Sequence, residues 1–435
     1  MSGLGWIDAP RASRAQWPEL AAFAAAVRDE GLTRVLLCGM GGSSLAPAVL
    51  AQAFGATAFD VLDSTDPGAV LDAERRAPLA RTLFLIASKS GTTVETLAAY
   101  RYFAARAAAG QFVAVTDPGS PLETLARRAG FRAVFAHPPD VGGRYAALTV
   151  VGMLPAALVE VDGPELLARA ARVDAQAAQQ CGRAVAAAAL GGRDKVALRP
   201  PPPVARLADW IEQLVAESSG KNGKGVIPVV GGNAATADVQ AVTEFSADPL
   251  DLGAEFLRWE HATWALCEQL GVNAFDQPDV EAAKAFARAE LQRPRGERAE
   301  IPRTLSPRAL RAAARPGDYV ALLAYLPPRP AVATAMERVR TAWGDALGCV
   351  TTAAFGPRYL HSTGQLHKGG PNTGLFLVVT ADDAEDVGIP EMQRSFGELK
   401  HAQALGDIRA LLAKQRRVAH VHLARPEDLG DLARL

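Results

Sequence analysis

The chain has 435 residues, 49% hydrophobic and 21% charged, with 46 Lys and Arg against 47 Asp and Glu and a formal net charge of −1. That length suits two or three domains of roughly 150 residues, and the balanced charge gives none of the basic footprint expected of a nucleic-acid binder. Met1–Pro10 lacks the basic end and apolar run of a secretory signal, and the apolar stretch Thr149–Val159 is too short to span a bilayer, so a cytoplasmic protein without membrane association is expected. Cys38, Cys181, Cys267 and Cys349 have no paired spacing and read as reduced thiols, outside any disulfide framework or zinc site.

In chain order, short apolar runs alternate with helical stretches. The pattern predicts strands over Thr33–Cys38, Ala58–Asp63, Thr82–Ser88, Phe112–Thr116 and Arg132–Ala136. Helices are expected from Leu45 and over Ala69–Arg76, Thr93–Ala109 and Leu122–Ala129. Pro164–Leu190 is Ala-rich and helical in spacing, Pro200–Pro203 reads as a break, and Ala205–Ser218 as an amphipathic helix. Further strands are expected over Val226–Val230, Tyr319–Tyr325, Val350–Phe355, Leu375–Thr380 and Arg417–Leu423. Helices are expected over Gly253–Leu270, Val280–Leu291, Ala331–Ala346 and Met392–Leu412, and Gln292–Arg303 reads as a solvated loop. Such alternation implies α/β architecture, with two mainly parallel sheets flanked by helices. The expected division is a first unit at 1–162, a helical linker region at 163–203 and a second unit at 204–435.

The residue types that carry chemistry gather at the ends of these strands. Cys38-Gly39-Met40-Gly41-Gly42-Ser43-Ser44 is a strand-to-helix turn that serves either as an anion site or as a tight connection. Ser88-Lys89-Ser90-Gly91-Thr92-Thr93 offers four hydroxyls and one cation at the start of a helix. That is more than a helix cap needs, and it suits a terminal phosphate. The glycine loop that precedes Lys-Ser/Thr in nucleotide sites is missing, so the phosphate is expected on a small metabolite. Gly142-Gly143-Arg144-Tyr145 can present a guanidinium to a ligand near the backbone. Gln213 and Glu217 lie four apart on one helix face, ahead of Ser218-Ser219-Gly220-Lys221. Phe275-Asp276-Gln277-Pro278 leads into a helix that carries Lys284. His361-Ser362-Thr363-Gly364-Gln365-Leu366-His367-Lys368-Gly369-Gly370 places histidines in a glycine-rich loop between strands. His420 and His422 share a strand face but lack a carboxylate partner at metal-binding spacing, so no metal is expected.

Taken together, these motifs resemble the glucose-6-phosphate isomerase family, built from two sugar-isomerase (SIS) domains, each a three-layer sandwich. Gly39–Ser43, Ser88–Thr93, Gly143-Arg144, Gln213 with Glu217–Lys221, and Phe275–Gln277 through Lys284 look like its five motifs in order. The histidine loop resembles most closely the isomerase half of bifunctional transaldolase/glucose-6-phosphate isomerases. The resemblance implies interconversion of glucose 6-phosphate and fructose 6-phosphate through a cis-enediol, with no cofactor. It implies Glu217 as base, Arg144 as enediolate stabiliser, and His361 with Lys284 at ring opening. Gly42, Ser43, Ser88, Lys89, Ser90 and Thr93 would surround the phosphate, and Gln213 and Gln277 the sugar hydroxyls. A homodimer and association with a transaldolase are further expectations. The alternatives are a dual phosphoglucose/phosphomannose isomerase and a non-catalytic sugar-phosphate-binding module. The sequence departs from the family at Ala46 and Ala146, and in the late position of His361, for which His261 is the rival.

Overall fold

The computed structural model describes residues 3–434 apart from 232–233, 241–243, 295–296 and 298. Helix α1 (Ala9–Asp29) leads into a run of strands and helices: β1 (Arg34–Gly39), α2 (Leu45–Ala53), β2 (Phe59–Leu62), α3 (Pro67–Arg76) and β3 (Thr82–Ala87). The run continues with α4 (Val94–Ala104), β4 (Phe112–Thr116), α5 (Pro121–Ala129) and β5 (Ala133–Ala136). The five strands form one parallel sheet in the order β2-β1-β3-β4-β5. Alternate residues feed two cores, one face burying Leu37, Leu85 and Val113 and the other Leu36, Phe84 and Ala114. Burial on both faces is why these strands read as continuous apolar runs. Strand order reverses between β1 and β3, and a parallel sheet opens a ligand crevice at such a point, beyond the strands' carboxyl ends.

The middle of the chain is helical: α6 (Val150–Leu158), α7 (Gly163–Ala170) and α8 (Ala175–Leu190), then β6 (Lys195–Leu198), α9 (Leu207–Ser219), β7 (Ile227–Val230), α10 (Leu252–Leu270) and α11 (Glu281–Leu291). Every residue of α6 is buried, so the run tested above for membrane length is a core helix, apolar all round. Among the described residues no helix is long and apolar enough to cross a membrane.

The rest of the chain comprises α12 (Pro307–Ala312), β8 (Tyr319–Tyr325), α13 (Pro330–Leu347), β9 (Thr351–Phe355), α14 (Gly364–Gly369) and β10 (Gly374–Ala381). It ends with β11 (Gly388–Ile389), β12 (Arg394–Ser395), α15 (Phe396–Ala413) and β13 (Arg417–Leu423). A second parallel sheet runs β13-β10-β8-β9.

Several expected boundaries move for local reasons. The expected helix Pro164–Leu190 is two helices, because Asp174 accepts hydrogen bonds from the N–H groups of Gln176 (2.9 Å) and Ala177 (3.0 Å) and starts α8 afresh. The helix expected from Met392 begins at Phe396, where Ser395 and Glu398 form a reciprocal cap, and Arg394–Ser395 pairs with Gly388–Ile389 instead. The helix expected to reach Ala109 stops at Ala104. Val226–Val230 contributes β7, which pairs with the unforeseen β6 rather than with the four-stranded sheet. The described residues of 292–303 carry neither helix nor strand beyond Gln292, as expected of a loop.

Helix α15 has a buried polar face, Lys400, Gln403 and Asp407, at helical spacing. Lys400 pairs with Asp66 at 2.8 Å and also with Asp383. Asp407 pairs with Lys368 of α14 at 2.5 Å, both side chains essentially inaccessible, and accepts the Tyr359 hydroxyl at 2.6 Å. Removing one partner of such a pair strands the other charge in the interior. Lys368→Met is therefore expected to destabilise the fold by about 3–5 kcal/mol, read as a lower urea midpoint at unchanged slope. An unchanged midpoint would contradict this.

Candidate active site

The two turns at the crevice follow β1 and β3. After β1 the chain makes a single helical turn over Gly41–Ser43. Gly41 has a left-handed φ of +55°, and a Cβ there would strike the His361 carbonyl, while one on Gly42 would strike the Gly143 backbone. These glycines allow the first turn to pack directly on the arginine turn and the histidine loop. The other reading of this turn, as a tight connection, thus also holds geometrically.

After β3, Ser88 and Thr93 share a hydrogen bond at 2.9 Å, and Ser90 and Thr92 another at 2.9 Å. Thr93 is the N-cap residue of α4, but its side chain does not cap the helix. Lys89 turns to the far side of the loop. Its ammonium sits on both Asp117 oxygens (2.7 and 2.9 Å) and on the Pro139 carbonyl (3.1 Å). Thr116 accompanies it, donating its hydroxyl to the Ser88 carbonyl at 2.7 Å. The side chain of Lys89 therefore fastens the loop to the end of β4.

Arg144 is buried and five-fold anchored. Its Nε donates to Ser218 Oγ (2.8 Å), and Nη1 reaches Glu217 Oε1 (3.0 Å) and Gln277 Oε1 (3.1 Å). Its Nη2 donates to the carbonyls of Ala274 (2.6 Å) and Asp276 (3.2 Å). Glu217 lies near the end of α9 with its other oxygen accepting from Gln213 Nε2 at 3.0 Å. The same amide donates to the His361 carbonyl at 2.8 Å. Lys221, buried, ties the Phe-Asp-Gln segment in place by pairing with Asp276 at 3.0 Å and with the Asn273 carbonyl. Burial, with Arg144 adding to it, pushes the Lys221 ammonium below its ordinary pKa. Gln365 joins the histidine loop to the same segment by donating to the Gly220 carbonyl (2.8 Å) and Asp279 (2.7 Å).

His361 follows β9, and its Nε2 meets Glu95 Oε1 at 2.8 Å. Glu95 is in the first turn of α4, two residues beyond Thr93, and is buried. Burial raises its carboxyl, but His361, with Lys284 further off, outweighs that and holds it below the usual range. Gln403 donates to the same Glu95 oxygen at 2.7 Å.

Of the twelve sequence candidates, Arg144, Glu217, Gln213, Gln277 and His361 thus meet in one hydrogen-bonded group, beside Gly42. Ser88, Ser90 and Thr93 lie on the adjoining loop, and Ser43 is partly exposed in the first turn. Two stand apart: Lys89 is engaged by Asp117, and Lys284 is half-exposed and pairs with Glu281 at 2.8 Å. The rival histidine, His261, is buried on α10 with its ring 4.7 Å from Trp6. Glu95 and Gln403 were missed. The only trace of Glu95 is an acidic residue in a helix's first turn, and Gln403 left none. His420 and His422 share the Thr380 hydroxyl at 2.8 Å each. Among the described residues no group of His, Cys, Asp and Glu is arranged to hold a metal.

Residues 25–181, which include the glycine turn, the hydroxyl loop and Arg144, match the family described as phosphoglucose isomerase. A glucose-6-phosphate isomerase of Rubrobacter xylanophilus is 34% identical over 46% of this chain and 54% of its own length. One of Citrifermentans bemidjiense is 35% identical over 49% of this chain and 46% of its own. The chain is thus similar to that family over residues 25–181, and to these two isomerases over a little under half of its length. It spans about half the length of these curated relatives. A glucose-6-phosphate isomerase structure from Chlamydia trachomatis shares the fold, with a TM-score of 0.54 and 22% identity over 64% of this chain and 73% of that one.

Proposed function

We propose that this chain interconverts glucose 6-phosphate and fructose 6-phosphate by proton transfer between carbons 1 and 2. One observation carries the reading: Gln213 joins the Arg144–Glu217 pair to the His361–Glu95 pair, so a carboxylate, a fixed cation and a histidine fall within one hydrogen-bonded group. Glu217 takes the proton from carbon 2 of the open-chain aldose and returns it to carbon 1. Arg144 keeps its anchors on Ser218, Ala274, Asp276 and Gln277 when Glu217 turns to substrate, and so faces the enediolate oxygen without rearranging. With Nε2 of His361 held by Glu95, Nδ1 is left to exchange a proton with the ring oxygen and open the sugar. Lys284 adds positive potential near Glu95.

Ser88, Ser90 and Thr93 hold the phosphate by hydroxyl and backbone donors, with Gly42 and Ser43 closing it from the first turn. Lys89 serves that loop through Asp117. Gln277 and Gln213 position sugar hydroxyls. Binding energy at the remote phosphate orients the reacting carbons. The division into units at 1–162 and 204–435 belongs to this proposal. A cytoplasmic location rests on the sequence expectation above, and a homodimer and association with a transaldolase on the resemblance alone.

The test is a coupled assay with fructose 6-phosphate, mannose 6-phosphate and unphosphorylated fructose side by side. Glucose 6-phosphate should form from the first only. Equal turnover of mannose 6-phosphate would make it a dual isomerase, and equal turnover of free fructose would overturn the phosphate assignment.

A further inference from the structure

The amide of Gln403 is fixed at both ends. Its Nε2 donates to Glu95 Oε1 at 2.7 Å, and its Oε1 accepts the Thr65 hydroxyl at 2.6 Å. The Glu95 carboxylate settles which end of the amide is the donor, because a carboxylate only accepts, and this leaves the amide oxygen to accept from the Thr65 hydroxyl. Gln403, Glu95 and Thr65 are all buried. The Glu95 oxygen that Gln403 reaches is the one that faces His361 Nε2. Gln403 is brought there from α15 by the same polar face that seats Lys400 on Asp66 and Asp407 on Lys368.

We propose that Gln403 is a positioning residue that sets the proton affinity of the His361–Glu95 pair from the second sheet's side of the crevice. A carboxylate that receives an amide N–H is more stable as an anion, and it needs the imidazolium less. Without the amide, a buried Glu95 carboxylate gains more from a proton on either partner, so the pair binds its proton more tightly. The other titratable groups that face Glu95 are Lys284 from α11 and the Tyr325 hydroxyl from β8. Glu217 faces the histidine segment through Gln213. All three remain in place when residue 403 is changed.

The activity readout rests on the isomerase reading; the titration readout does not. The experiment follows the His361 ring by NMR against pH in the full chain, in the native protein and in Gln403→Leu and Gln403→Glu. His361→Ala identifies the signal. In Gln403→Leu the His361 midpoint should rise by about one pH unit, the share of a hydrogen bond to a charged group. The acid limb of kcat/KM for a cyclic hexose 6-phosphate should rise with it. Turnover of a tetrose 4-phosphate, which cannot close a ring, should keep its native pH profile. Gln403→Glu keeps the size of the side chain and can donate only while protonated. Its cyclic-substrate activity should therefore fall with rising pH across a range where the native enzyme is level. Thr65→Val should shift the His361 midpoint in the same direction as Gln403→Leu, by less. An unmoved His361 midpoint in Gln403→Leu would overturn the proposal even if the protein isomerises sugar phosphates. A moved midpoint in a protein without isomerase activity would uphold it and remove the functional reading instead.

Discussion

Glu217→Gln should lower turnover of fructose 6-phosphate by roughly 10²- to 10⁴-fold, the usual contribution of a positioned general base. Position 217 is held on α9 between Arg144 at 3.0 Å and the Gln213 amide at 3.0 Å, and a Gln side chain has the same shape. The loss should therefore fall on kcat, with KM for the sugar phosphate little changed, because the phosphate site proposed above is a separate loop, Ser88–Thr93. The thermal midpoint distinguishes lost chemistry from lost folding. The variant leaves the Arg144 guanidinium without its carboxylate, but four other acceptors still hold it. A variant with near-native kcat would remove Glu217 from the base role.

The second large effect is expected at the histidine. His361→Ala should reduce turnover of a cyclic hexose 6-phosphate far more than turnover of a tetrose 4-phosphate, because only the former needs its ring opened. The loss on the cyclic substrate should again be roughly 10²-fold or more. Glu95→Gln should reproduce the pattern in weaker form, since Glu95 acts through His361, whose Nε2 it holds at 2.8 Å. By contrast His261→Ala, beside Trp6 and away from the hydrogen-bonded group, should act on stability rather than on the ratio between the two substrates. Equal losses on both substrates in His361→Ala would assign that histidine to another step.

The two sheets were legible in the sequence because parallel strands buried on both faces are written as short unbroken apolar runs, and Phe112–Thr116, Tyr319–Tyr325 and Arg417–Leu423 match to the residue. The four-residue strand Lys195–Leu198, between Asp194 and a proline run, was too short to leave a pattern. In the site, residues that carry their own local signal were readable: glycine before Arg144, Gln213 and Glu217 on one helical face, hydroxyls crowded around Ser88. What was not readable depends on contacts across the chain. Glu95 meets His361 across 266 residues and Gln403 across 308, and no spacing rule connects such positions. Lys89 shows the opposite failure. Its place among hydroxyls suggested an anion, whereas Asp117, 28 residues on, supplies one from the protein itself. Lys284 likewise has a nearer partner in Glu281, one helical turn away.

The most direct measurement is to convert fructose 6-phosphate in deuterium oxide and examine carbon 2 of the product by NMR. The account predicts glucose 6-phosphate with a measurable fraction of deuterium on carbon 2, delivered by a base that exchanges with solvent, and no product from Glu217→Gln. Absence of glucose 6-phosphate, or product carrying no deuterium on carbon 2, would contradict isomerisation through an enediol at Glu217.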